Sequence, residues 1–340
     1  MRSEIGSEFW DIPLNKEENG LFPPNTAWFL SGRDALRAVI RDIRARRHFC
    51  AVAMPSWCCD SMIRPFLEEG VEVRFYPVYP GEDGSFIQEL SSVRDCDGLL
   101  LMDYFGFRRQ SPSNFDGVII WDATHSIFSG IPEEADYVFG SLRKWAGFWT
   151  GGFAWRKNSP LLDAGAGSKP SPYVRLRQQA MKEKRAYLEG LRDDKRHLET
   201  FSAAEELLEG GASGPADARD IRAAKTLDVD FLRRRRRENA SVLLEAVSDM
   251  ALFPKLEEAD CPLFVPILVP EGKRDALRRF LIQREIYCPV HWPVSPLHRL
   301  TGETRRLYGQ ELSLVCDQRY DPADMARLCT AIGEFFKQEN

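Results

Sequence analysis

At 340 residues the chain is long enough to bury a large core and to divide into two domains. Hydrophobic residues at 44 % and charged residues at 29 % describe an ordinary soluble globular protein, and a net charge of −5 gives no reason to expect nucleic acid or an anionic membrane as partner. No apolar run reaches the length of a membrane span, Met1–Trp10 lacks a signal-peptide core, and the eight cysteines show no C-x-x-C spacing, so a cytoplasmic protein with reduced thiols and no metal site is expected.

Residues 1–25 read as an N-terminal arm, polar around Lys16-Glu17-Glu18 and broken at Pro23-Pro24. Phe9 and Trp10 need a surface to pack on, such as a partner subunit; the alternative is a loosely docked tail. Trp28-Phe29-Leu30 leads into Ser31-Gly32-Arg33-Asp34 and then a helix through Arg47, with Leu36, Val39, Ile40 and Ile43 on one face. A small-residue turn that opens a helix offers N–H groups and the positive end of the dipole to a phosphate, although Ser31 or Asp34 can equally cap the helix. Phe49–Met54 reads as a strand, Pro55-Ser56-Trp57-Cys58-Cys59 as a turn into a helix ending at Gly70, and Val71–Val78 as the next strand. Leu99–Met102 and Val118–Trp121 follow. Continuously apolar strands alternating with helices or loops imply a largely parallel sheet buried on both faces, with ligands at the carboxyl ends of its strands.

The stretch from Val118 to Arg156 organises the rest. The run V-I-I-W ends in Asp122, Thr124 and His125; the run Y-V-F-G ends in Ser141 and Lys144; Gly151-Gly152 opens a third run. A lone Asp is usually a cap and a lone Lys beside Trp is usually solvated. Found together at successive strand ends, they point to pyridoxal phosphate (PLP). That cofactor takes a lysine amine as a Schiff base, an anion opposite its pyridinium nitrogen, and hydroxyl and backbone donors around its phosphate. With Trp145, Phe148 and Trp149 nearby, desolvation is expected to lower the Lys144 pKa.

Ala164–Pro172 reads as a Gly/Ser/Pro loop, Val174–Leu208 as a long polar helix, and Phe231–Val247 as an amphipathic one. The five arginines Arg233–Arg237 are read as a solvated helix face in preference to a nucleic-acid patch. A small domain then follows, with a strand at Leu263–Val269, a helix at Lys273–Arg284, a strand or turn at Ile286–Pro289, a strand at Leu312–Val315 and a last helix at Pro322–Phe336. Arg319, just beyond the Leu312–Val315 strand, is a candidate fork for a substrate carboxylate; the alternative is a surface pair with Asp317 or Asp321.

On these residues the chain resembles the fold-type-I PLP enzymes and, within them, the DegT/DnrJ/StrS aminotransferases. The motifs that carry the resemblance are the D-x-x-H of Asp122 and His125, Ser141 before Lys144, the pair Gly151-Gly152, the loop Ser31–Leu36, Val290-His291-Trp292-Pro293 and Pro296-Leu297-His298. It is strongest from Ser31 to Phe153 and poor from 160 to 230, where the family's G-Y-N-x-R motif is missing, which weakens any transfer of sugar-nucleotide specificity. The resemblance implies a fold-type-I α/β protein: an arm at 1–25, a large mostly parallel-sheet domain at 26–235 and a smaller C-terminal α/β domain at 236–340. It implies a homodimer with interfacial sites, moving an amino group from an amino-acid donor to a keto or aldehyde acceptor, a nucleotide sugar among them. Lys144 and Asp122 take the catalytic roles. Ser31, Gly32, Arg33 and Ser141 surround the phosphate, His125 lies near the ring hydroxyl, Trp57 stacks on the ring (the alternative being a helix-start residue packed in the core), and His291 joins Arg319 at the substrate. A PLP-dependent lyase and a cofactor-binding regulator are the alternatives. A cysteine desulfurase is disfavoured, because the 160–172 loop has no cysteine.

Overall fold

The computed structural model describes residues 4–81, 85–93, 95–107, 115–163 and 171–338. The N-terminal segment contributes β1 (Ile5–Gly6), followed by β2 (Ala27–Phe29), α1 (Gly32–Arg46), β3 (Ala51–Pro55), α2 (Asp60–Glu68) and β4 (Glu72–Tyr76). A hairpin of β5 (Val78–Pro80) and β6 (Phe86–Gln88) precedes β7 (Gly98–Met102), β8 (Val118–Asp122), β9 (Tyr137–Ser141) and β10 (Gly152–Arg156). Four helices come next: α3 (Pro172–Leu188), α4 (His197–Glu209), α5 (Ala218–Lys225) and α6 (Val229–Val247). The C-terminal part holds β11 (Phe264–Leu268), α7 (Arg274–Ile282), β12 (Ile286–Tyr287), α8 (Gly302–Gln310), β13 (Glu311–Val315) and α9 (Pro322–Gln338).

The central sheet has seven strands in the order β2-β10-β9-β8-β7-β3-β4. The five from β9 to β4 are mutually parallel, and β10 runs antiparallel to both its neighbours. Strands β3, β7 and β8 are buried along their whole length, as their unbroken apolar sequences require of strands covered on both faces. The register aligns Met102 with Asp122, Asp122 with Phe139, and Ser141 with Gly152. One edge of the sheet therefore collects the carboxyl ends of β7, β8 and β9 and the amino end of β10. Helix α1 packs over β9 and β10 with Leu36, Val39, Ile40 and Ile43 buried. In the C-terminal part β11 and β13 pair antiparallel under α6, α7 and α9.

Several expectations change. The arm is no loose tail: β1 pairs in parallel with β12 of the same chain, with Ile5 opposite Ile286, and Asn15 and Asn19 bond to the end of α5 and the loop after it. The single helix expected over Val174–Leu208 is two, α3 and α4 packed together, because the chain turns at Gly190 with φ of 76°. The 71–78 strand divides into β4 and β5. The division expected at 235/236 falls inside the continuous helix α6. Of the 164–172 loop, only Ser171 and Pro172 lie among the described residues. The arginine run is not a solvated face. Arg236 is fully buried and donates to Leu263 O at 2.9 Å and Gln318 Oε1 at 2.8 Å, Arg233 donates to Phe128 O, and Arg237 donates to Glu257 and Asp260 carbonyls. All eight cysteines are free, and no helix among the described residues is long and apolar enough to cross a membrane.

Candidate active site

Asp122 ends β8 and is buried, with 3 % of its surface exposed. Its Oδ1 accepts from the Thr124 N–H at 2.8 Å, and among the described residues no basic side chain pairs with it. Burial drives its pKa up to about 6, against the lowering effect of Thr124. A carboxylate so placed is short of a positive partner.

Lys144 belongs to the neighbouring strand end. After Ser141 the chain turns through a short 3-10 segment, Leu142–Lys144, whose next residue is fixed on the Asp122 side: Trp145 Nε1 donates to Thr124 O at 2.8 Å. Lysine and aspartate are thus tied through two adjacent turns. The Trp145 backbone is held as well, since its carbonyl accepts from Gln318 Nε2 at 2.7 Å and Arg236 Nη2 at 3.4 Å. Trp145 and Phe148 are buried in the core, whereas the Lys144 side chain is exposed, so the expected apolar enclosure of the amine is absent in the single chain.

Backbone approaches backbone beside these residues. A Cβ on Gly32 would meet Ser141 Cβ at 3.2 Å, and one on Gly152 would collide with Ser31 O. A Cβ on Gly140 would press on Thr124 N at 3.0 Å. The start of α1, the end of β9 and the start of β10 therefore meet in a cradle that glycine alone permits. Ser31 realises the capping alternative: its hydroxyl accepts from Asp34 N–H at 3.1 Å and donates to Asp34 Oδ2 at 2.9 Å. Asp34 is itself buried, and burial raises its pKa over the opposing bonds from Ser31. Arg33 donates to Leu208 O at 3.2 Å, which engages its side chain with α4 instead of the cradle.

His125 is buried, accepts from Phe105 N–H on Nδ1 at 3.4 Å, and stacks on Trp292 at 5.4 Å with 21° between planes. Burial, helped by the Lys144 charge, holds its pKa down at about 3; the imidazole is neutral, and its proton lies on Nε2. His291 lies 5.8 Å from His125, ring to ring. It is buried, with its backbone N–H donated to Glu311 Oε2 at 2.7 Å and its Nδ1 bonded to Ser313 Oγ at 2.8 Å, so it is fixed by two residues of β13. Burial, His125 and Lys144 together hold it well below the usual imidazole range.

Two sequence assignments are corrected. Trp57 is a core residue, fully buried and stacked on Tyr104 at 4.8 Å and 13°, with Nε1 donating to His291 O at 3.0 Å. Arg319 is neither a free fork nor a surface pair. It grips Asp317 through Nε and Nη2, each at 2.8 Å, and donates to the carbonyls of Glu8 and Ser7 at 3.1 and 3.2 Å, so it clasps the arm. The sequence reading missed Glu8, Arg143, Tyr173 and Arg177, which gather beside the Lys144 turn. Only Arg143 carried a local signal, its place next to Lys144. His48, Cys50 and Asp97 come together at the opposite edge of the sheet, where Asp97 Oδ2 already takes the N–H groups of Cys50 and Ala51.

No family model matches the chain, and no curated protein matches it. Solved structures do. A DegT DnrJ EryC1 StrS aminotransferase from Brucella abortus matches at 17 % identity with a TM-score of 0.60, over 91 % of this chain and 85 % of that one. Helicobacter pylori PseC, an aminotransferase involved in the biosynthesis of pseudoaminic acid, matches at 14 % identity with a TM-score of 0.64, over 98 % of this chain and 100 % of that one. The ntda structure from Bacillus subtilis with bound cofactor pmp matches at 12 % identity with a TM-score of 0.62, over 92 % and 73 %. The chain accordingly has the fold-type-I architecture of the DegT/DnrJ/EryC1/StrS aminotransferases.

Proposed function

We propose that the protein is a PLP-dependent aminotransferase that moves an amino group from an amino-acid donor to a keto or aldehyde acceptor, with a sugar as the acceptor class. The observation that carries the reading is the buried, cation-lacking Asp122 tied through Thr124 and Trp145 to Lys144 at the next strand end. When bound, PLP supplies an electron sink conjugated to the substrate amine. The acceptor class rests on the similarity in fold to structures such as the sugar aminotransferase CalS13 of Micromonospora echinospora.

The chain's own residues divide the work. Asp122, whose pKa burial raises to about 6 while it stands alone, would pass its proton to the ring nitrogen and, as a carboxylate, keep that nitrogen cationic. Lys144, on a turn fixed by Arg236 and Gln318, would hold the cofactor and carry a proton to and from the substrate. Ser141 and the amides at the start of α1, gathered in the glycine cradle, would hold the phosphate. Neutral His125 would offer its Nε2–H as a donor from the Trp292 side. The exposure of Lys144 in one chain supports a homodimer whose second copy completes the enclosure.

The test is chemical mapping. Purified protein incubated with PLP should absorb in the near-ultraviolet or violet, and borohydride should fix the cofactor on Lys144. An adduct mapped to another lysine, or none at all, overturns the reading.

A further inference from the structure

The arm brings a carboxylate to a pair of arginines beside the Lys144 turn, Arg177 buried and Arg143 half-buried. Its backbone touches that turn: Gly147 N–H donates to Asp11 O at 2.8 Å, and a Cβ on Gly147 would lie 2.6 Å from Asp11 N. Three residues upstream of that carbonyl, Glu8 Oε2 accepts from Arg177 Nη1 at 3.1 Å. Arg177 is 1 % exposed, packed at 4.8 Å over Phe201, with Nη2 reaching Phe148 O at 3.5 Å. Arg143, one residue before Lys144, pairs with Glu205, which stands 3.6 Å from Arg177 Nη1 as well, and lies 5.5 Å over the Tyr173 ring. Within this group the buried atoms Arg143 Nε, Arg177 Nε and Tyr173 Oη have no hydrogen-bond partner among the described residues.

Two guanidinium groups brought together in a buried place repel each other and lose hydration, and unpartnered donors add to the cost. Anions relieve both. Glu205 is fixed on α4, whereas Glu8 lies on a segment outside the sheet with 43 % of its side chain exposed. Burial opposes its ionisation, but Arg177, Arg143 and Lys144 more than reverse that, and its pKa lies below the ordinary carboxylate range. Glu8 thus behaves as a carboxylate ligand. A second carboxylate could replace it one charge for one, and the spare Nε–H and Oη–H groups would serve the newcomer. A phosphate dianion would unbalance the site.

We propose that Arg143, Arg177 and Tyr173 form the recognition site for a carboxylate of the amino-acid substrate, and that Glu8 fills it as a built-in carboxylate until the substrate displaces it. The inference rests on the aminotransferase reading, which is what brings an amino acid to Lys144.

Maleate, a dicarboxylate with no amine to react, is titrated into the PLP-loaded protein by calorimetry, and the change in cofactor absorbance with L-glutamate is followed in parallel. Glu8→Gln removes the internal competitor and should tighten maleate and lower the half-saturating glutamate concentration, each by about three- to tenfold. Arg177→Gln should weaken both by about tenfold or more. Should Arg177→Gln fail to fold, Glu8→Gln decides alone: equal or weaker maleate binding, in a protein of unchanged melting temperature, overturns the site. Maleate binding in the expected order without any response to glutamate keeps the site and removes the aminotransferase reading. A glutamate response identical in all variants keeps that reading and removes the site.

Discussion

At the scale of single residues, burial without a partner is what distinguishes Asp122 from the many aspartates that cap turns. It does bond Thr124 N–H as a cap would, yet it is buried at a strand end with its pKa raised to about 6, and no cation among the described residues compensates it. Asp122→Asn keeps the shape and removes the anion. Turnover should fall by roughly two to three decades, corresponding to about 2–4 kcal/mol of transition-state stabilisation. PLP should still bind through its phosphate contacts, as read from its absorbance. A loss below about threefold would reduce Asp122 to the role of a cap. Lys144→Ala should abolish turnover in the same assay, and an active variant sinks the mechanism. The places of Asp122 and Ser141 at strand ends, with Lys144 on the turn that follows, were legible because an apolar run declares its own end. Trp57 was not: an aromatic after a strand can face the core or a ligand, and Tyr104 and Trp292, 47 and 235 residues away, decide it. For Arg319 the Asp317 pair was among the readings and is present, but its burial was not legible, since the carbonyls that also engage it belong to Ser7 and Glu8.

At the scale of elements, period and composition located most strands and helices, and errors gathered where one element meets another. The arginine run is the clearest case. Five consecutive helical residues step about 100° each and so cover the whole circumference, so at least one must face inward. That one is Arg236, whose four acceptors include the Trp145 carbonyl next to Lys144. Arg236→Met fills similar volume but leaves Leu263 O, Pro262 O and Gln318 Oε1 short of a donor. It should destabilise the protein by about 2–4 kcal/mol in denaturant unfolding. Because the Trp145 turn also loosens, PLP should dissociate faster from the variant, and an unchanged off-rate would detach α6 from the site. Strand β13 makes a pH prediction. Burial raises the Glu311 pKa to about 8, over the lowering bonds from Ser313 and His291. A folded pKa above the ordinary value of 4.5 means that the native state holds the extra proton between the two. The stability contributed is complete below the ordinary value and lost as pH rises through 8. Glu311→Gln mimics the neutral acid, so its unfolding free energy should fall less than wild type between pH 6 and pH 9, at roughly those limits. Parallel curves would mean that Glu311 is ionised throughout.

At the scale of the whole molecule, the arm is the feature the sequence concealed. Nothing local in residues 4–11 signals their partners, which lie on α3, on β12 and on the loop before α9. The sheet was legible because its strands are continuous runs; the arm is held by charges and single backbone bonds, which leave no period. Lys184, on α3, is fully buried and paired with Glu4, itself 6 % exposed. Burial first, then the like charges of Arg319 and Lys195, pull the Lys184 amine down to about 7, and Glu4 is the contact that opposes them. Glu4→Gln removes that opposition and leaves a buried amine to choose between an unpaired charge and neutrality. Breaking one side of such a pair costs about 3–5 kcal/mol while the charge must be kept. The cost depends on pH with a definite sign. The folded wild type, Glu4 included, releases the Lys184 proton at about 7, and the variant releases it lower still; between those two points the variant's stability rises with pH while the wild type's does not, and above about 7 the two run parallel. The deficit of Glu4→Gln relative to wild type should therefore be larger at about pH 5 than at about pH 8, as measured by chemical denaturation. A deficit of the same size at both pH values would mean that the arm is held by the β1–β12 pairing and the Arg319 clasp, with the buried ion pair contributing nothing of its own.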